Sequence, residues 1–268
     1  MNETLKRALS GAVYIALLLG CISYSKESLA ILFGIFMLIG VYEFCKITQL
    51  NYYFSIPFAA VSYCLLWNKN QMIDLKTFLI SFAIIVSVKL LFYLFSLQKT
   101  TFKIGTRYLL LIGYIIIPFI ITNYVALGKK GYNPKILISI LVLIWANDTF
   151  AYLVGKNIGR NKLFPSVSPK KTIEGFFGGL IFTIISSIAL SKFYIESKIL
   201  YIWIVIAVIV SIFSTLGDLI QSKFKRVAGV KDSGKIMPGH GGILDRLDSI
   251  IFVIPFINLF YLILYYVS

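Results

Sequence analysis

Residues Ser222 to Asp248 read SKFKRVAGVKDSGKIMPGHGGILDRLD. The segment holds six of the chain's 26 basic residues, three of its 11 acids, its only histidine and five glycines. On either side lies an apolar run of the length that crosses a bilayer, about 199–220 before it and 248–267 after it. So polar and glycine-rich a stretch is poorly suited to packing a core. Between two membrane helices it has the composition of a site that handles phosphates and a divalent metal. The contrast sets the fold: apolar spans joined by polar loops, with the chemistry gathered at the loops.

The rest of the 268 residues extends this pattern. Hydrophobic residues make up 59%, charged residues 14%, and the mean hydropathy is +0.87. Soluble domains carry about 25% charged residues, so the deficit marks a polytopic membrane protein. Nine apolar runs follow one another, at about 8–24, 27–46, 54–67, 77–97, 106–127, 136–154, 175–194, 199–220 and 248–267; the third is short. They predict an all-α fold of about nine transmembrane helices in one membrane-embedded domain. Residues 1–140 would supply N-terminal helices and residues 141–268 the catalytic half. Cys21, Cys45 and Cys64 lie in or beside apolar runs and form no CxxC pair, which argues against a disulfide framework or a zinc site. Leu18-Leu19-Gly20-Cys21, after Lys6 and Arg7, loosely resembles a lipoprotein cleavage box. Because the chain runs on into further spans, a retained first helix is the simpler account.

The net charge is +15. No basic amphipathic arm or nucleic-acid motif accompanies it, so basic loops facing anionic membrane lipids account for the excess. With nine spans, one face carries Lys6, Arg7, Lys46, Lys99, Lys103, Arg107 and the eleven basic residues of the two long loops, 155–174 and 221–247. The other face carries Lys26, Lys69, Lys76, Lys129, Lys130, Lys135, Lys192 and Lys198. The positive-inside bias therefore places the N-terminus and both long loops in the cytoplasm of a bacterial-type inner membrane. Removing the third span would put the loops opposite the N-terminus but leave them together. The sequence is compatible with a monomer or a homodimer.

A carboxylate at membrane depth costs at least about 2.5 kcal/mol on insertion scales, so it faces a wet cavity, a cation or a basic partner. Asp148, in WANDTFAY, sits about two turns from the end of its span, and Asp218, in STLGDLIQS, within the last turn of its own. Both should lie just under the two basic loops. Glu43 and Lys89 also fall inside spans and are candidates to pair with each other.

The first loop, with the helix start that follows it, reads GKNIGRNKLFPSVSPKKTIEGFFGG from Gly155 to Gly179. Its lysines and arginines supply charge-assisted donors to phosphate oxygens, and its glycines let backbone N–H groups approach an anion. Pro169 should end one segment and present Lys170 and Lys171 at the start of the next helix, whose dipole also favours an anion. In the second loop Asp245 and Asp248 are three apart, a spacing that puts both on one helical face, as hard oxygen ligands suited to Mg²⁺. Arg246 should point elsewhere, free to hold a phosphate or a carboxylate. His240, between glycines and beside the acids, reads as a hydrogen-bond donor to phosphate.

Ser222-x-Phe224-Lys225-Arg226, Lys231-Asp232-x-Gly234 and Pro238-x-His240-Gly241-Gly242-x-x-Asp245-Arg246-x-Asp248 together resemble the signature of the phosphatidate cytidylyltransferases, also called CDP-diacylglycerol synthases. Asp148-Thr149-Phe150-Ala151-Tyr152, Gly155-Lys156, Gly159-Arg160 and Ser168-Pro169-Lys170-Lys171-Thr172-x-Glu174-Gly175 resemble the same family; Met237 stands where Leu, Ile or Phe is expected. The resemblance covers the C-terminal half closely, while the first 140 residues match only in being several spans.

The resemblance implies that CTP and phosphatidic acid give CDP-diacylglycerol and pyrophosphate with Mg²⁺, with room for a second cation. It implies Asp218, Asp245 and Asp248 as metal ligands and Asp148 as a supporting ligand or a partner of a lysine or arginine. Lys170, Lys171, Lys225, Arg226 and Arg246 would bind phosphates, and Ser222, Lys231, Asp232 and His240 would assist. A CTP-dependent lipid kinase acting on an isoprenoid alcohol needs similar parts but releases CDP. A transporter would show broken helices or inverted repeats near mid-membrane, and no repeat is evident.

Overall fold

The computed structural model describes residues 3–69, 72–96, 102–128, 131–197, 199–236 and 241–267. His240 and Met237 lie outside the described residues. The chain runs α1 (Glu3–Tyr24), α2 (Lys26–Thr48), α3 (Tyr52–Leu66) and α4 (Ile73–Phe95), then α5 (Ile104–Leu110) and α6 (Ile117–Ala126), which a π-helical turn at Leu111–Ile116 joins into one rod. A two-residue ribbon, β1 (Leu127–Gly128) with β2 (Gly131–Tyr132), leads to α7 (Pro134–Ile158). The antiparallel strands β3 (Lys162–Phe164) and β4 (Ser168–Thr172) precede α8 (Ile173–Leu190), which continues as a π-helical turn to Ile195; α9 (Leu200–Val227) and α10 (Leu244–Val267) close the fold.

Seven of these helices are long and apolar enough to cross a membrane, and Leu9–Tyr24 and Tyr52–Leu66 are shorter apolar helices. The protein is an all-α integral membrane protein. At 1.5 Å per residue, the 15 residues of α3 cover about 22 Å, short of the roughly 30 Å apolar layer, as its short run predicted. Local chemistry sets the boundaries. Ser25 and Ser28 form a capping box at the start of α2, and Asn133 caps α7 at Pro134, which occupies the first turn where no N–H is needed.

The rod Ile104–Ala126 is the hub, with 89% of its span buried inside the protein, and α10 packs along it. By contrast α8 is peripheral, showing Phe177, Ile181 and Ile185 to the outside as α4 shows Phe78, Ile85 and Phe92. Apolar bands of this kind face lipid. Helices α7 and α8 pack tightly along their length, and small residues permit it: a Cβ at Gly178 would come within 2.6 Å of Val154, and one at Gly175 within 2.6 Å of the Ala151 carbonyl.

Three expectations change. The first loop is not bare: it folds into β3 and β4, so Lys170 and Lys171 stand on an extended strand and Thr172, not proline, begins α8 by accepting the Gly175 N–H. The second loop is largely helical at both ends, because α9 runs on to Val227 and α10 begins at Leu244. Asp218 is consequently nine residues from the end of α9, and Asp148 ten from the end of α7, so the two acids lie at matching depth rather than one in a last turn. Glu43 does not pair with Lys89, which is exposed; it binds groups of the second loop instead.

Candidate active site

A helix of 28 residues is about 42 Å long, well beyond the apolar layer, so the last turns of α9 carry their polar face clear of it. Asp218, Ser222 and Lys225 recur at four and three residues and share one face. Lys223, about 200° from Lys225, turns the other way. Its Nζ donates to the carbonyls of Tyr93, Leu94 and Ser96 at 2.5, 3.2 and 2.6 Å, which closes the end of α4 with a cation.

Two ion pairs meet on that face. Lys171 Nζ lies 2.5 Å from Asp218 Oδ2, bringing β4 onto α9, and Ser222 Oγ donates to Asp218 Oδ1 at 3.3 Å. Lys225 Nζ lies 2.6 Å from Asp245 Oδ1 at the start of α10. Asp245 Oδ2 also accepts the Ser233 N–H at 2.7 Å and the Gly242 N–H at 2.9 Å, and it lies 3.0 Å from the Ser233 hydroxyl, whose single proton it shares with Glu43 Oε2 at 2.8 Å. That carboxylate is fully engaged. Asp248, one turn on and nearly buried, accepts a single hydrogen bond among the described residues, from the N–H of Ser249 at 2.7 Å on Oδ1. Two aspartates on one face therefore differ in kind: Asp245 is a knot in the loop, and Asp248 keeps acceptor capacity.

A cavity of about 260 Å³ opens here. Gly11, Tyr14 and Ile15 of α1 and Leu141, Ile144 and Trp145 of α7 form an apolar wall, and Asp148, Asp245, Arg246, Asp248 and Ser249 form a polar floor. Arg246 thus shares the pocket with the acids rather than pointing away. The charges of Asp148, Asp218 and Asp248 act on one another, and Lys171, Lys225 and Arg246 act on them in turn. Buried bonds hold the frame: Asn147 joins α7 to α9 by donating to Ser214 Oγ and accepting the Ser211 hydroxyl. Glu174 accepts the N–H groups of Arg160 and Asn161 and locks the hairpin to α8.

The residues singled out from the sequence divide accordingly. Asp148, Lys171, Asp218, Ser222, Lys225, Asp245, Arg246 and Asp248 gather around the pocket and its two ion pairs. Lys170, Arg226, Lys231 and Asp232 are exposed on the surrounding segments. Glu43, Lys223, Tyr14 and Ser233 contribute structure that sequence reasoning did not assign. Glu43 had signalled itself as an acid inside a span, but its partners lie some 200 residues away.

Among the described residues, no three carboxylate, histidine or cysteine groups already converge as a metal cage. The donor chemistry nonetheless suits a hard cation: Asp148 and Asp248 line one pocket and Asp218 lies near enough for its charge to act on both, with Lys171 as the sole ion-pair partner of Asp218 among the described residues.

The profile of the Cytidylyltransferase family matches residues 5–264. The phosphatidate cytidylyltransferase of Staphylococcus haemolyticus (strain JCSC1435) is 41% identical over 193 residues, 72% of this chain and 70% of that protein. Its namesake in Staphylococcus aureus (strain COL) is 41% identical over 189 residues, 70% of each chain. The one in Staphylococcus epidermidis (strain ATCC 12228 / FDA PCI 1200) is 36% identical over the same length and coverage.

Proposed function

The chain belongs to the Cytidylyltransferase family, and from that premise we propose that it transfers the cytidylyl group of CTP to phosphatidic acid, giving CDP-diacylglycerol and pyrophosphate. One observation carries the reading: a pocket with an apolar wall and an acidic floor, flanked by two lysine–aspartate pairs, stands at the end of membrane helices. A lipid phosphate reaches such a pocket from the bilayer and a triphosphate reaches it from water. The excess of basic residues on the loop-bearing face supports a cytoplasmic site.

In the reaction a phosphate oxygen of phosphatidic acid forms a bond to the α-phosphorus of CTP, while the bond from that phosphorus to the bridging oxygen breaks and the pair leaves with pyrophosphate. The nucleophile is already ionised near neutral pH, so no general base is required. Two anions must meet, and catalysis reduces to placement and charge. Arg246 in the pocket and Lys171 and Lys225 beside it are the cations that bind phosphate oxygens, with Lys170 and Arg226 on the approach. Asp218 and Asp248, supported by Asp148, would hold Mg²⁺, which neutralises phosphate charge when bound. Asp245 organises the loop and keeps Lys225 in place.

Omission experiments test the function. Purified protein in detergent should release pyrophosphate only when CTP, Mg²⁺ and phosphatidic acid are all present, with a CDP-linked lipid formed. CDP released with an isoprenoid alcohol would replace this reading with a kinase, and no turnover with any lipid would favour transport. Within the reaction, Lys171→Ala should raise the KM of a phosphate-bearing substrate about 10-fold or more, the worth of one charge-assisted hydrogen bond. Unchanged KM values for both substrates would remove Lys171 from the site.

A further inference from the structure

We propose that Glu43 of α2 is a positioning residue for Lys225, acting through Ser233 and Asp245, so that an N-terminal helix sets the geometry of the phosphate-binding face. Glu43 is 1% exposed and has no basic side chain within ion-pair distance among the described residues. An uncompensated carboxylate at that depth is expensive, and its acceptors are spent on one target. Oε1 accepts the Ile243 N–H at 3.0 Å, and Oε2 accepts the Leu244 N–H at 2.9 Å and the Ser233 hydroxyl at 2.8 Å. The two amides are the opening of α10, where the helix dipole favours an anion.

The contacts form a relay. The Ser233 hydroxyl stands between the carboxylates of Glu43 and Asp245, and the Ser233 N–H binds Asp245, whose other oxygen binds Lys225 at 2.6 Å. The loop is moulded around Glu43: a Cβ at Gly242 would lie 2.2 Å from Ser233 Oγ and 2.4 Å from both Glu43 oxygens, and one at Gly234 2.3 Å from Oε1. Gly241, at φ +86°, makes the turn that delivers these amides. Removing the acceptor frees Ser233 and the start of α10 together, and Lys225 loses its fixed partner.

The inference rests on the reaction proposed above, and its test separates the two. Glu43→Gln keeps the size but sets an NH₂ against N–H donors. It should lower kcat at least 10-fold while the protein remains folded, and speed amide exchange across residues 231–236 and 241–248. Introduced into Lys225→Met, it should change the remaining rate less than twofold, because the relay ends at that lysine. Wild-type kcat and KM in Glu43→Gln, or a full multiplicative loss in the double variant, would overturn the proposal. Where Glu43→Gln does not accumulate as folded protein, Ser233→Ala, the next link, carries the same expectations. If the wild type is inactive with CTP and phosphatidic acid, the reaction falls, while the exchange pattern still decides whether Glu43 holds the loop.

Discussion

Asp248→Asn is expected to lose on the order of 10³-fold in kcat while the protein inserts and folds as the wild type does. The substitution is nearly isosteric. Among the described residues the carboxylate accepts one hydrogen bond, from Ser249 N–H, and an asparagine oxygen can keep it. What disappears is a negative charge on the pocket floor, beside Asp148 and near Asp218. The matching change three residues earlier should fail differently. Asp245 takes Lys225 on one oxygen and the Ser233 and Gly242 N–H groups on the other, so an amide there places its NH₂ against one set or the other, and the loop loses order. Steady-state kinetics with thermal unfolding in detergent separates the two outcomes. Wild-type turnover of Asp248→Asn at ordinary Mg²⁺ would end its role as a metal ligand.

Lys225→Ala should be costly in both activity and stability. The side chains of Lys225 and Asp245 are 11% and 5% exposed, and removing the cation leaves a carboxylate almost out of water. Breaking such a pair costs about 3–5 kcal/mol. The lower end is expected, because Ser233 and Gly242 still donate to Asp245. The phosphate contact proposed for Lys225 goes with it, so turnover should fall by at least 10²-fold. Lys223→Ala offers the contrast: its cation closes α4 and touches nothing in the pocket, so stability should drop with kcat per folded molecule little changed. Activity loss in Lys223→Ala without loss of stability would contradict that division.

Much of the architecture was written in hydropathy. Apolar runs mark helices whatever their partners, and even the shortness of α3 was visible at 54–67. The ends were not, because a helix leaving the membrane changes from apolar to amphipathic without a break, as α9 does from Gln221 to Val227. The β3–β4 hairpin escaped for a similar reason: Ser168-Pro169-Lys170-Lys171-Thr172 lacks the alternation that announces a strand, and Glu174 of α8 fixes the hairpin from outside. In the site, the spacing of Asp245 and Asp248 predicted a shared face but not that one would be saturated by its own loop. Lys223 and Lys225 looked alike until the helix between them gave them opposite directions. Glu43 was noticed for its depth, but its candidate partner Lys89 is not the one it has, since nothing local tells an acid in α2 that it caps a helix starting at Leu244.

Asp218 and Lys225 ride on one uninterrupted helix, two turns apart, and α9 is tied by Lys223 to the end of α4. The two lysine–aspartate pairs therefore cannot be adjusted separately. A bilayer thinner or thicker than the apolar part of α9 is accommodated by tilting the rod, and tilt swings both pairs at once relative to the strand and loop they must meet. The protein should accordingly respond to the thickness of the membrane that holds it: in vesicles of graded acyl-chain length, turnover should peak at one thickness and fall on both sides of it.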